Sequence, residues 1–228
     1  MNSQPWGTGP AYPPPPPARE PIVKVPPAAL VLAVSMPLLF WLQVRLPDMG
    51  MTWAFYPIDL GRTLGWPGIV TAMLLHGSWT HAALNAVTAL CFAPPVARML
   101  PGWRGAGVFA LFYIGCGIIA SLGYGLLHLA STDPMVGASG AVSGLLGAAI
   151  RLMGRPSWAG PKPLKDRSAL TMVGVLLAIN AVIGLIGYAP GAEGARIAWE
   201  AHAVGMVAGY LAIGPLFRWS RRWVPAFG

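Results

Sequence analysis

Long apolar segments recur along this chain and constrain its fold more than any other feature. A run of about 20 apolar residues is enough for a helix to cross the hydrocarbon core of a bilayer. The composition points the same way, since 55% of the 228 residues are hydrophobic and only 10% are charged. Soluble domains carry about 25% charged residues. We therefore expect an all-α, multi-pass membrane protein.

Six segments are predicted to span the membrane: Ala28–Val44, Ala82–Val96, Gly105–Leu129, Ala138–Leu152, Ala169–Tyr188 and Ala198–Phe217. They define one domain over residues 28–217, with a disordered proline-rich tail over 1–27 and a short basic tail over 218–228. The stretch Arg45–Thr80 mixes aromatic and polar residues, which is typical of a loop partly embedded at the membrane interface. Cys91 and Cys116 both fall inside apolar segments, so they suggest neither a disulfide framework nor a metal site.

The basic residues predict how the bundle is oriented. Six spans place both termini on one side, and that side then carries most of the lysines and arginines, including Arg98 and Arg151. The opposite side carries Arg45, Arg62 and Arg196. Basic loops tend to stay in the cytoplasm, so both termini are predicted to be cytoplasmic. The net charge of +8 is thus explained by topology rather than by nucleic-acid binding.

A serine and a histidine lie near the ends of two apolar segments. Ser139 occurs in Gly137-Ala138-Ser139-Gly140, and His202 follows Ala201 at the start of the sixth segment. Together they are the parts of a nucleophile–base pair, and ionisable groups within membranes are candidates for functional sites. Small residues would let the two helices approach closely: Gly137, Gly140, Gly205 and Gly209. The alternative is ordinary small-residue packing with a chance serine, and no third member of a triad is evident.

Two histidines and an asparagine precede the second segment in the pattern His76-(x4)-His81-(x3)-Asn85. His81 and Asn85 are four residues apart, so they share one face of a helix, where two donors would suit an oxyanion. His76 is expected on the incoming loop, where it bonds backbone. A metal site built on His76 and His81 is disfavoured, because the spacing is poor and no carboxylate accompanies them.

These three elements, in this order, resemble the rhomboid intramembrane serine proteases over about residues 28–217. The resemblance implies that Ser139 is the nucleophile and His202 the general base. It implies an oxyanion hole formed by His81, Asn85 and the backbone N–H of Ser139, with His76 supporting the first loop. The implied activity is cofactor-free hydrolysis of peptide bonds in or near transmembrane helices of substrate proteins.

The chain departs from the family pattern beside the serine. Many rhomboids carry an aromatic residue four positions after the serine, against which the histidine stacks, and here that position is Ser143. We therefore expect His202 to be held less tightly, unless another segment supplies a partner. Two other functions remain open. A rhomboid-like protein that binds or chaperones membrane clients typically lacks the serine or the histidine, and a small transporter would show internal repeats or a buried carboxylate.

Overall fold

The computed structural model describes residues 25–61, 66–156, 159–187 and 197–222. Seven α-helices follow one another along these residues: α1 (Pro27–Gln43), α2 (Trp66–Thr71), α3 (Trp79–Met99), α4 (Gly102–Leu127), α5 (Ser139–Leu152), α6 (Arg167–Ile186) and α7 (Trp199–Ser220). Within the described residues the fold has no strand, only an isolated bridge between Phe55 and Met135. The expectation of an all-α protein is confirmed. Most of the predicted tail over 1–27 and of the tail over 218–228 lies outside the described residues.

Side-chain caps and a glycine define the ends of α3 and α6. The Ser78 hydroxyl accepts the N–H of His81 at 3.1 Å and caps the start of α3, and the Asp166 carboxylate accepts the N–H of Ala169 at 2.9 Å at the start of α6. Gly187 ends α6 in the left-handed conformation, with φ of 75°. The second predicted segment, Ala82–Val96, is longer at both ends in the structure, where the helix covers Trp79–Met99.

Among the described helices, α3, α4, α6 and α7 are long and apolar enough to cross a membrane. The helices α1 and α5 are apolar but shorter, with 17 and 14 residues. Many large apolar side chains point outward, among them Leu111, Leu185 and Ile186, each at least 70% exposed. Such exposure is unfavourable in water but suits lipid, so the chain is a multi-pass membrane protein.

Glycines bring α5 and α7 into backbone contact at the centre of the bundle. A Cβ atom on Gly205 would overlap the carbonyl oxygen of Gly140, and one on Gly209 would overlap that of Gly144. On the facing side, a Cβ on Gly147 would overlap the carbonyl oxygen of Met206. Every larger residue at these positions would push the two helices apart. This contact sets the distance between the side chains at the N-terminal ends of α5 and α7.

The long segment between α1 and α3 folds over one end of the bundle. Phe55 and Met135 exchange two backbone hydrogen bonds, of 3.1 and 2.8 Å, and the N–H of Gly137 donates to the carbonyl of Ala72 at 2.9 Å. The Phe55 side chain is fully buried, and Gly125 on α4 leaves room for its ring. These bonds fix the loop before α5 and thereby the start of that helix.

Candidate active site

The structure brings Ser139 and His202 into hydrogen-bond contact. Ser139 is the first residue of α5, and His202 lies in the first turn of α7. The Oγ atom of Ser139 and Nε2 of His202 are 2.8 Å apart, although 63 residues separate them in the chain. Both side chains are half-buried. At this distance the imidazole can take the hydroxyl proton when the oxygen attacks an electrophile.

The pair faces a cavity of about 790 Å³ that is open to the outside. Its walls come from α3, α4, the loop before α5, α5 and the start of α7, and include His81, Asn85, Ser143 and Asp133. A cavity of this size can hold several residues of an extended peptide.

His81 presents a ring N–H toward Ser139. Its Nδ1 atom accepts the backbone N–H of Gly77 at 3.3 Å, so in the neutral ring the proton lies on Nε2. A Cβ on Gly137 would lie 2.9 Å from that Nε2 atom and 3.5 Å from Oγ of Ser139. Gly137 also has φ of 126°, which side-chain-bearing residues rarely adopt. Glycine at 137 therefore leaves the donor of His81 space beside the serine hydroxyl.

Asn85 lies one turn further along α3, on the same face. The side chain is 5% exposed, and its Nδ2 donates to the carbonyl of His81 at 3.1 Å. The amide has a second N–H on the same nitrogen, and the residue lines the cavity. His81 and Asn85 thus both line the cavity from α3, and their role as oxyanion donors stays a prediction.

His76 is buried in the loop before α3, and Gln43 holds its backbone. The amide of Gln43 at the end of α1 accepts the N–H of His76 at 2.8 Å and donates to its carbonyl at 2.9 Å. The ring of His76 is fully buried against that of His81, with 5.2 Å between centroids. Among the described residues neither ring nitrogen has a hydrogen-bond partner, so the expected bond from His76 to loop backbone is not formed by its side chain. Burial, followed by the nearby His81, lowers the pKa of His76 to about 4. Within the described residues, no three metal-ligating side chains cluster here or elsewhere.

Two polar contacts, one at His202 and one near the start of α7, have no counterpart in the sequence patterns. Asn180 on α6 places its Oδ1 atom 3.1 Å from Nδ1 of His202. Glu200, in the first turn of α7, has its Oε1 atom 3.1 Å from Nε2 of His128. In the sequence, Asn180 is marked only as an amide side chain within an apolar segment. The residues around it do not indicate which histidine it contacts.

Fold and site together define a multi-pass helical membrane protein with a serine–histidine pair in an open cavity. The Rhomboid domain family model matches residues 64–219, most of the chain. The chain therefore belongs to the rhomboid family. It is also similar to a Bacillus subtilis (strain 168) protein named "Putative rhomboid protease YdcA", with 39% identity over 94 residues. That match covers 39% of this chain and 43% of the relative, less than half of its length.

Proposed function

We propose that this protein is an intramembrane serine endopeptidase that uses Ser139 and His202 to hydrolyse peptide bonds in or near transmembrane helices. The contact of 2.8 Å between Oγ of Ser139 and Nε2 of His202 carries the proposal. A serine hydroxyl is a weak nucleophile unless a base beside it accepts its proton. Membership of the rhomboid family supports the same chemistry.

The reaction proceeds in two halves. Oγ of Ser139 attacks the carbonyl carbon of the scissile bond while its proton passes to Nε2 of His202. The ring N–H of His81 and the amide N–H of Asn85 donate to the negative oxygen that forms. His202 then gives its proton to the leaving amine, and an acyl-enzyme remains on Ser139. In the second half, His202 takes a proton from water, the hydroxide attacks the ester, and the proton returns to Ser139.

The six apolar helices α1 and α3–α7 act as six membrane spans in this proposal. Both termini then lie in the cytoplasm, and Ser139 and His202 lie toward the opposite face of a bacterial inner (cell) membrane. The partners are transmembrane substrate proteins and the lipid bilayer, and the reaction uses no cofactor. The basic loop that contains Lys162 and Lys165, between α5 and α6, supports this orientation.

Cleavage of a transmembrane reporter by the purified protein tests the proposal. We expect Ser139→Ala and His202→Ala each to abolish cleavage while melting temperature is kept, and the double variant to resemble either single one. A fluorophosphonate probe should label wild-type protein at Ser139, because labelling requires an activated serine. A folded wild-type protein that binds membrane clients but neither cleaves nor labels would instead support the client-binding function. Cleavage by the Ser139→Ala protein would refute the assignment of the nucleophile.

A further inference from the structure

Asn180 connects α6 to both the backbone and the catalytic side chain of α7. Its Nδ2 atom donates to the carbonyl of Trp199 at 2.7 Å, and its Oδ1 atom lies 3.1 Å from Nδ1 of His202. The side chain is half-buried in a helix that is otherwise almost wholly apolar beyond its first turn. An amide in an apolar span is costly unless its hydrogen bonds are satisfied, and here both of its ends have partners.

These contacts determine where the proton of His202 lies. The carbonyl of Trp199 can only accept, so the nitrogen end of the amide faces Trp199 and the oxygen end faces the imidazole. The amide oxygen also only accepts, so Nδ1 of His202 must carry a proton. In the neutral ring Nε2 is then the unprotonated nitrogen, and it faces the hydroxyl of Ser139 at 2.8 Å. This is the tautomer that can accept the serine proton.

We propose that Asn180 is a positioning residue that holds His202 in this tautomer and orientation, so that the site operates as a Ser139–His202–Asn180 triad. The inference rests on the proposed function. Ser143 offers no ring on which the His202 imidazole could stack, so the imidazole needs another partner to hold it in place. A hydrogen bond from α6 restrains the ring where the chain lacks that aromatic surface.

Asn180 also suits the charge that develops on His202. Once the imidazole has taken the serine proton, both ring nitrogens are donors, and Nδ1–H still donates to Oδ1 of Asn180. The partial negative charge of the amide oxygen stabilises the imidazolium. A carboxylate would do so more strongly, but a full negative charge within the bilayer is costly whenever the imidazole is neutral.

A close approach of α6 to the start of α7 supports the contact. Gly184 lies four residues after Asn180 and so on the same face of α6. A Cβ atom on Gly184 would overlap the ring of Trp199. Glycine at position 184 therefore lets Trp199 pack against α6. In that position the Trp199 carbonyl can accept the hydrogen bond from Asn180.

Kinetics of three variants on α6 test the proposal. Asn180→Leu removes both hydrogen bonds at similar volume, and Asn180→Asp keeps an oxygen acceptor toward His202. Ile179→Ala, at a half-exposed lipid-facing position, is the control for α6 itself. We expect Asn180→Leu to lower kcat by on the order of 100-fold with KM within about twofold, since misplacing a catalytic group costs rate. Asn180→Asp should recover much of that loss, and Ile179→Ala should match wild type.

The tautomer of His202 provides a readout that does not depend on proteolysis. Nitrogen-15 NMR of histidine-labelled protein in micelles, with His202 assigned from the spectrum of His202→Ala, distinguishes Nδ1–H from Nε2–H. We expect Nδ1–H in wild type and in Asn180→Asp, and a shift toward Nε2–H in Asn180→Leu. The same spectra recorded in the Ser139→Ala background separate this inference from the identity of the nucleophile.

A folded Asn180→Leu protein with unchanged kcat and an unchanged tautomer would overturn the proposal. If Asn180→Leu does not fold, Asn180→Asp decides: a retained Nδ1–H signal supports the role, and an Nε2–H signal overturns it. Proteolysis that survives in Ser139→Ala would refute the proposed function, while the tautomer comparison would still test Asn180.

Discussion

His81 and Asn85 lie on one face of α3 and line the same cavity as Ser139. We expect His81→Ala and Asn85→Ala each to lower kcat, because the developing oxyanion loses a preorganised donor. In soluble hydrolases one such donor contributes on the order of 100-fold or more in rate. Each single loss is expected to be milder if the second donor compensates, so the double variant should be the slowest. Reporter cleavage by purified variants measures the effect.

Val87 on α3 is 58% exposed and lies away from the cavity, so Val87→Ala is the matched control for that helix. It should retain wild-type turnover. A His81→Ala, Asn85→Ala double variant that folds and cleaves at the wild-type rate would remove both residues from the oxyanion hole.

His76 makes the stability of the first loop depend on pH. Its pKa is about 4 in the folded protein, against an ordinary value of 6.5, because the ring is buried. Between these values the unfolded chain binds more protons than the folded one, so stability falls as the pH falls. The full contribution is present above about pH 6.5, and about 3 kcal/mol is lost by about pH 4. Unfolding free energies measured from pH 7.5 to 4 should show this loss.

His76→Asn separates this residue from the other histidines. Its unfolding free energy should fall less steeply over the same pH range, while the wild-type and variant curves run parallel above pH 6.5. Equal slopes for the two proteins between pH 6.5 and 4 would show that His76 does not carry the pH dependence.

Some residues of the site could be identified from the sequence, and others only from the structure. Ser139, His202, His81 and Asn85 could be selected because each sits in a short pattern that lies within one segment. Asn180 could not, since its partner lies 22 residues away, and the facing of α6 toward α7 depends on packing. Gln43 was missed for the same reason, because its amide bonds to His76, which lies 33 positions further along the chain.

The glycine contact between α5 and α7 determines whether the pair can form. Gly209→Ala places a methyl group against the carbonyl oxygen of Gly144, so the helices must separate. We expect a lower melting temperature and lower turnover together, since overpacking typically costs about 1–3 kcal/mol and lengthens the Ser139–His202 contact. Thermal unfolding and reporter cleavage measured on the same preparation check both effects.

Gly107 on α4 is a suitable control, because a Cβ atom there would meet nothing within 4 Å. Gly107→Ala should leave turnover unchanged and stability equal or higher, as alanine favours helix over glycine. If Gly209→Ala keeps turnover and melting temperature as Gly107→Ala does, the close contact between α5 and α7 is not required for the Ser139–His202 contact.

The helices themselves were largely predictable, because lipid requires long apolar runs and the loops interrupt them. The predicted segment Ala138–Leu152 and the observed Ser139–Leu152 differ by one residue. The short helices and turns over the site were not predictable. Their positions depend on backbone pairing between distant loops, as at Phe55 and Met135, and no periodic pattern encodes that pairing.

The length of α5 sets the depth of Ser139 in the proposed membrane arrangement. Fourteen residues rise about 21 Å along a helix axis, whereas the hydrocarbon core is about 30 Å thick. With the basic loop after α5 at the cytoplasmic surface, Ser139 lies about 10 Å below the opposite surface. In this arrangement, water for deacylation has to reach Ser139 through the cavity that Ser139 lines.

We therefore expect cleavage near the non-cytoplasmic end of a substrate's membrane helix, within its first few turns rather than at its centre. A peptide bond in a regular helix is shielded by its own hydrogen bonds, so glycine or proline close to the bond should raise the rate by easing local unwinding. Mass spectrometry of the products from a reporter with a known orientation locates the bond. A paired reporter, with the same helix and the helix-weakening residue moved toward the cytoplasmic end, should be cleaved more slowly. Cleavage mapped to the cytoplasmic half of the helix would contradict the orientation and the depth of Ser139 together.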